Sequence, residues 1–221
     1  MLTVDQVFKR YADAGDALCD VSFHLQKGEM AFLTGHSGAG KSTLLKLIAA
    51  IERSTRGQLL VDGQNLNRLS ERQIPYLRRK LGLIFQDYKL LFDRTVFDNV
   101  ALPLVVAGVG QHEVARRVRA ALDKVGLLGK ENKYPLALSG GEQQRIGIAR
   151  AVVNKPALIL ADEPTGNLDP ELSAEIMYLF EQFKQVGVTI LIATHDIALV
   201  NQLNHKVLQL ERGRLIGQQL S

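Results

Sequence analysis

The chain contains one cysteine, Cys19, among 221 residues. A lone cysteine cannot close an internal disulfide, which points to a reducing cytosol and leaves Cys19 the part of a small apolar residue. No stretch reaches the roughly 18 consecutive apolar residues of a membrane span, so no segment is expected to cross a bilayer. The opening MLTVDQVFKRY lacks the apolar run of a secretory signal. Repeats, linkers and low-complexity tracts are also missing. The net charge is only +4, and no stripe of Lys and Arg with interleaved aromatics occurs. Charge therefore gives nucleic-acid binding little support, and at most a weak attraction to an anionic membrane surface or to a partner. What remains is the composition of an ordinary globular protein, long enough to bury its own core without staples.

Short apolar runs alternate with helical patterns, which predicts an α/β fold with a largely parallel sheet. Val21, Phe23 and Leu25 alternate as in a half-buried strand. Met30 to Thr34, Leu81 to Phe85, Ala157 to Ala161 and Val188 to Ala193 read as buried strands. Gln58 to Val61 reads as a strand closed by an Asp62-Gly63 turn, and Lys206 to Gly217 as a hairpin turning near Arg212-Gly213. Helices are expected over Thr43 to Ile51 and around Leu172, Ile176, Leu179 and Phe183. From about residue 87 to 150 the pattern becomes helical: Val114, Val118, Leu122 and Val125 mark one apolar face, with Arg116, Arg117 and Arg119 on a solvated one. This stretch is read as a helical subdomain inserted into a core formed by residues 1–86 and 151–221 of a single domain.

Gly35-His36-Ser37-Gly38-Ala39-Gly40-Lys41-Ser42 matches GxxxxGK[ST] in full, between a predicted strand and a predicted helix. Its glycines let backbone N–H groups approach phosphate oxygens, and the helix N-terminus adds partial positive charge. Lys41 can reach the β- and γ-phosphates of ATP, the Ser42 hydroxyl can ligate Mg2+, and Thr43 can bond the α-phosphate. The run Leu158 to Ala161 ends in Asp162-Glu163. Either the pair simply favours the start of the next helix, or the buried strand delivers it to the edge where ligands bind, Asp162 for Mg2+ and Glu163 for the attacking water. His195 follows another buried strand, where it is either a structural residue or a hydrogen-bond donor to the γ-phosphate. Gln86 follows Leu81 to Phe85; it either caps a strand or contacts Mg2+ and the attacking water. Tyr11 either packs in the core or stacks on adenine.

Leu138 to Arg145 reads LSGGEQQR. Ser139-Gly140-Gly141, followed by Glu142, opens an apparent helix and so makes a second anion site. Two anion sites with one ATP make sense if two copies pair head to tail, each covering the γ-phosphate held by the other. Loss of that phosphate on hydrolysis would then loosen the homodimer.

Together these motifs resemble the ATP-binding-cassette ATPases over essentially the whole chain. The resemblance covers Tyr11, the loop Gly35 to Ser42, Gln86, Leu138 to Arg145, Asp162-Glu163, Gly166-Asn167-Leu168-Asp169 and His195. It implies a P-loop (RecA-like) core with an antiparallel β subdomain, and an active ATPase. Phe8 departs mildly, standing where a small polar residue is expected. GHSGAGKSTLLKLI and DRTVFDNVALPL lean towards the cell-division branch of the family. LSGGEQQR and DEPTGNLD are shared with its lipoprotein-releasing and macrolide-exporting branches. The resemblance implies a polytopic membrane partner and a peripheral place on the cytoplasmic face of a bacterial inner membrane. Leu90, Leu91, Phe92, Val96 and Phe97 are either subdomain core or part of a groove for a helix of that partner. Soluble family members acting on DNA or ribosomes usually carry a coiled-coil insertion or a second cassette, and neither is present.

Overall fold

Successive residues of a strand point to opposite faces of its sheet, and here each face of the parallel sheet buries its own apolar cluster. Met30, Phe32, Ile159, Ala161, Ile190 and Ile192 face one cluster, whereas Ala31, Leu33, Leu158, Leu160, Leu191 and Ala193 face the other. Burial on both faces is why these strands read as continuous apolar runs. A computed structural model describes residues 1–13 and 15–219.

The amino-terminal half comprises β1 (Leu2–Tyr11), β2 (Gly15–Leu25), β3 (Met30–Thr34), α1 (Lys41–Ile48), β4 (Arg56–Val61), β5 (Gln64–Asn65), α2 (Ile74–Arg78) and β6 (Leu81–Ile84). Three helices follow, α3 (Val96–Val106), α4 (Gln111–Lys124) and α5 (Gly140–Val152). The chain then forms β7 (Leu158–Asp162), α6 (Pro170–Gln185), β8 (Thr189–Thr194), α7 (Ile197–Gln202), β9 (Lys206–Glu211) and β10 (Arg214–Gln219). One sheet has the order β10-β9-β3-β8-β7-β6, parallel except for β10, and a four-stranded antiparallel sheet has the order β2-β1-β4-β5.

Helix α1 lies between the two sheets, where Leu44, Leu45, Leu47 and Ile48 join the second cluster. The other cluster runs without a break from the sheet into Val100, Leu104, Val118, Leu122 and Ile146. The predicted helical insertion therefore shares its core with the sheet, and α5 ends two residues beyond the predicted boundary at 150. The first helix starts earlier and ends earlier than Thr43 to Ile51. Ala50 is left-handed at φ 51°, which stops it, and Ile51 is exposed.

Register positions the site. Thr34 pairs with Thr194, Asp162 with Ala193 and Ile84 with Ala161, so four strands end level with one another. The residues that follow them leave the sheet at one carboxyl edge, the place where such sheets bind ligands. No helix of the described residues is long and apolar enough to cross a membrane.

Candidate nucleotide site

At that edge a cavity of about 510 Å³ is lined by His36 to Thr43, Gln86, Glu163 and His195, with Ala17 from β2. Residues far apart in the chain, predicted separately from local patterns, thus meet around one space. The loop's shape demands glycine at two places. A Cβ on Gly35 (φ 147°) would lie 2.2 Å from the Leu210 carbonyl oxygen, and one on Gly40 (φ 106°) would lie 2.7 Å from that of Ala17. Gly40 also N-caps α1 and supplies no side-chain cap, so the helix offers its first N–H groups to an external anion.

Lys41 is buried, and its ammonium donates to the Gly35 carbonyl at 2.7 Å. It stands 3.5 Å from Glu163 Oε1. The other carboxylate oxygen, Oε2, lies 2.9 Å from His195 Nδ1, so Glu163 bridges the lysine and the histidine. Glu163 holds a left-handed backbone (φ 49°), a conformation costing about 1 to 3 kcal/mol in a non-glycine residue. Its N–H donates to the Ala193 carbonyl at 2.9 Å, which ties the carboxylate to β8. The His195 ring is largely exposed, so it is no core histidine.

Asp162 ends β7 behind this cavity. Burial pushes its carboxyl pKa up, and the nearby Ser42 hydroxyl offsets part of that rise. Its Oδ1 is buried with no hydrogen-bond partner. An orphaned carboxylate oxygen beside a serine hydroxyl, with the Gln86 amide on the same cavity, is a donor set that fits Mg2+, a hard cation that keeps most of its own water. Tyr11 lies at the margin instead of in the cavity lining. Its hydroxyl donates to Glu52 at 2.6 Å and neighbours Thr43; burial and then Glu52 raise its pKa. Lys9 covers its ring, with Nζ 4.7 Å from the centroid.

Ser139, Gly140, Gly141 and Glu142 do not line the cavity of their own chain. They form the N-terminus of α5, where Ser139 and Gly140 are exposed. Here the helix caps itself: Ser139 Oγ accepts from the Glu142 N–H, and the Glu142 carboxylate accepts from the Ser139 N–H at 3.0 Å. Lys130 also pairs with Glu142; that contact first, and the Ser139 N–H second, lower the Glu142 pKa. Gly141 packs against α6, where an added Cβ would displace the Leu172 side chain.

Sequence reasoning missed the latch behind Gln86. Tyr88 and Lys89 both have positive φ, at 60° and 47°. Arg150 of α5 donates to the Tyr88 carbonyl at 2.5 Å and to the Lys89 carbonyl at 2.6 Å, holding the strained turn against the helix that Ser139 begins. No glycine or asparagine marks those left-handed residues, and the contact spans 61 positions, so no local pattern betrays it. Of the two readings of Leu90, Leu91, Phe92, Val96 and Phe97, core and groove, the structure divides the residues between them. Leu90 and Val96 are core residues, Phe97 is partly buried, and only Leu91 and Phe92 are substantially exposed. The cause is Asn99, fully buried, whose amide accepts from the Leu91 N–H at 2.8 Å and donates to the Leu91 carbonyl at 2.9 Å. It folds the segment back so that Leu90 and Val96 point inward. The exposed apolar residues nearby are Leu102, Val105 and Val106 of α3.

Comparison with known proteins gives the family. The family described as ABC transporter matches residues 18–166. The chain is 59% identical over 217 residues to the cell division ATP-binding protein FtsE of Escherichia coli (strain K12), covering 98% of each chain. It is 48% identical over 217 residues to the protein of that name from Mycobacterium tuberculosis, covering 98% of this chain and 94% of that one. Among solved structures, the dimeric post-hydrolysis state of the ATP-binding cassette MJ0796 bound to ADP and Pi superposes with a TM-score of 0.91. It is 33% identical and covers 100% of this chain and 98% of that chain. A phosphate loop, a carboxylate pair and a self-capped signature helix on one fold, matched from end to end by such relatives, mean that the chain belongs to the ABC transporter family, as one of its ATP-hydrolysing cassettes.

Proposed function

We propose that this cassette is the ATP-hydrolysing subunit of a membrane-associated complex in bacterial cell division. It works as a homodimer on ATP and drives an FtsX-like polytopic membrane protein from the cytoplasmic face of the inner membrane, with activation of septal peptidoglycan hydrolases as the output. One observation carries the mechanism. The α1 anion site lies open beside Lys41 and Glu163, while the second anion site, at Ser139 and Gly140, faces solvent elsewhere on the same chain. The two are half-sites, and a head-to-tail pair of chains completes both.

In the chemistry, Lys41 exchanges the Gly35 carbonyl for the β- and γ-phosphates of ATP. Ser42 and Asp162, with Gln86 nearby, would hold Mg2+, which would supply positive charge against the phosphates. The Glu163 carboxylate takes a proton from water as the water oxygen bonds to the γ-phosphorus and the bond to the β-phosphate oxygen breaks. His195 orients Glu163 through Nδ1 and presents its other ring nitrogen to the γ-phosphate. Ser139 and Gly140 of the second chain would donate to the same phosphate, and ADP would no longer hold them.

Coupling follows from the Gln86 loop. Next to it a groove of about 520 Å³ is lined by Phe85, Leu102, Pro103, Val106 and Arg150 among others. A helix of the membrane partner docked there would touch both the Gln86 turn and the arginine that holds it. The test is capture of tagged full-length chain from detergent-solubilised membranes. Co-isolation of an FtsX-like protein is expected; recovery of a lipoprotein-releasing permease in its place overturns the cell-division assignment.

A further inference from the structure

The opposite edge of the parallel sheet carries a second concavity that no step of ATP hydrolysis uses. It has a volume of about 980 Å³ and reaches the residues just before three strands: Lys27 before β3, Ala157 before β7 and Val188 before β8. Those strands are 5 or 6 residues long. At about 3.3 Å per residue the groove therefore lies roughly 15 to 20 Å from the phosphate loop, one strand length away along the sheet.

Two helices wall it. On α4, Arg117 and Lys124 stand two turns apart on one side, with Ala120 and Ala121 between them. On α6, Tyr178, Gln182 and Gln185 share the facing side. The alanines make a shallow floor that lets another backbone approach closely. Phe183 and Val188, both packed on the core, extend that floor. Two apolar side chains are left in solvent there, Tyr178 at 65% and Val186 at 78% exposure. The charge is of one sign: five lining residues are Lys or Arg and none is Asp or Glu. Arg116 and Arg117 share Glu113, which Arg116 and then Arg117 hold at a pKa of about 2, fully ionised at neutral pH. Lys27, Lys124 and Lys155 make no ion pair among the described residues.

We propose that this groove is a docking site for an acidic amphipathic helix of a partner protein. Its apolar face lies on Tyr178, Phe183 and Val186, and its carboxylates meet Lys27, Lys124 and Lys155. A trough about two turns long between helices has the shape that helix-in-groove recognition uses. The cationic rim selects an acidic partner and speeds its encounter. A bilayer surface is flat and cannot reach the floor of a trough, and a small anion gains nothing from the apolar floor. The site faces away from the carboxyl edge, so its occupant stays bound whether the ATP half-sites are open or closed. The inference is independent of the cell-division assignment.

The probe is a short fluorescein-labelled helical peptide with leucine on one face and glutamate on the other, paired with a version in which lysine replaces glutamate. Both are titrated into the full chain and followed by fluorescence anisotropy at low and high salt. The glutamate peptide should bind at least about tenfold more tightly than the lysine peptide, with the difference shrinking in salt. Combined Lys27→Glu, Lys124→Glu and Lys155→Glu should weaken it by about tenfold or more. A separate Val186→Asp variant should weaken it several-fold at any salt concentration. Both proteins should retain the parent's thermal melt and ATPase rate, which separates loss of docking from loss of fold. Equal binding of the two peptides, no binding of the glutamate peptide, or indifference to both variants overturns the proposal. So does binding to phosphatidylglycerol vesicles that the triple variant loses, if the glutamate peptide does not bind.

Discussion

Two glycine-flanked helix starts in this chain look alike as sequence and differ as structure. Helix α1 begins at Gly40, has no side-chain cap, and opens into a cavity that already contains a buried lysine and a carboxylate. Helix α5 begins at Ser139, caps itself with Ser139 and Glu142, and faces solvent. The first is built to take an anion from solution, because its N–H groups have nothing else to bond. The second already satisfies two of its N–H groups through the capping box, and its exposed residues are Ser139 and Gly140. The proposed head-to-tail pair would use both kinds: one site that binds nucleotide in a single chain, and one that engages only when a second chain brings the phosphate to it.

Substitutions can separate the two. The largest effect is expected from Glu163→Gln, which keeps the shape of the side chain and removes its basicity. Steady-state turnover should fall by about 10² to 10⁴-fold while ATP still binds. Size-exclusion chromatography with Mg-ATP should then show a stable dimer, and a species that stays monomeric at high protein concentration would contradict the paired half-sites. Next is Lys41→Ala, which removes the buried cation of the α1 site. Fluorescent-nucleotide titration should show affinity lower by about a hundredfold, with the melting temperature little changed. Ser139→Ala acts on the other half. The lost cap should cost about 1 kcal/mol of stability. Nucleotide affinity of the single chain should be unaffected and ATP-driven dimerisation about tenfold weaker; an equal loss in both would erase the distinction between the sites.

The smallest effect is on stability. Burial raises the Asp162 pKa above its unfolded value, so this group's contribution is intact in acid and is lost as pH rises through the folded pKa. At neutral pH the ionised carboxylate is a cost that a metal ion would relieve. Asp162→Asn should therefore raise the nucleotide-free melting temperature by about 2 °C, allowing for solvent screening at this partly exposed group. The gain should vanish in acid, and turnover should be lost. A melting temperature that falls at neutral pH would show that the carboxylate is already well partnered.

Asp162 and Glu163 are legible in the sequence because a buried parallel strand needs an unbroken apolar run, and acids that end such a run must sit at its edge. The phosphate loop is legible because its residue pattern is complete within eight positions, although the contacts that require glycine at Gly35 and Gly40 come from Leu210 and Ala17, far away in the chain. Arg150 is not legible, since it reads as one more cation on a helix until the fold lays it against Tyr88 and Lys89. The inward turn of Leu90 and Val96 is likewise hidden, because a single buried asparagine, Asn99, sets it.

From its residues alone, this chain specifies the parallel strands, the anion-binding loop, the carboxylate pair and the signature helix, because each rests on hydrogen bonding, burial or charge within a short stretch. Only the tertiary structure decides that Lys41, Gln86, Glu163 and His195 share one cavity while Ser139 stands outside it. The register of four parallel strands sets which loops emerge together, and register depends on contacts between segments that no local pattern contains.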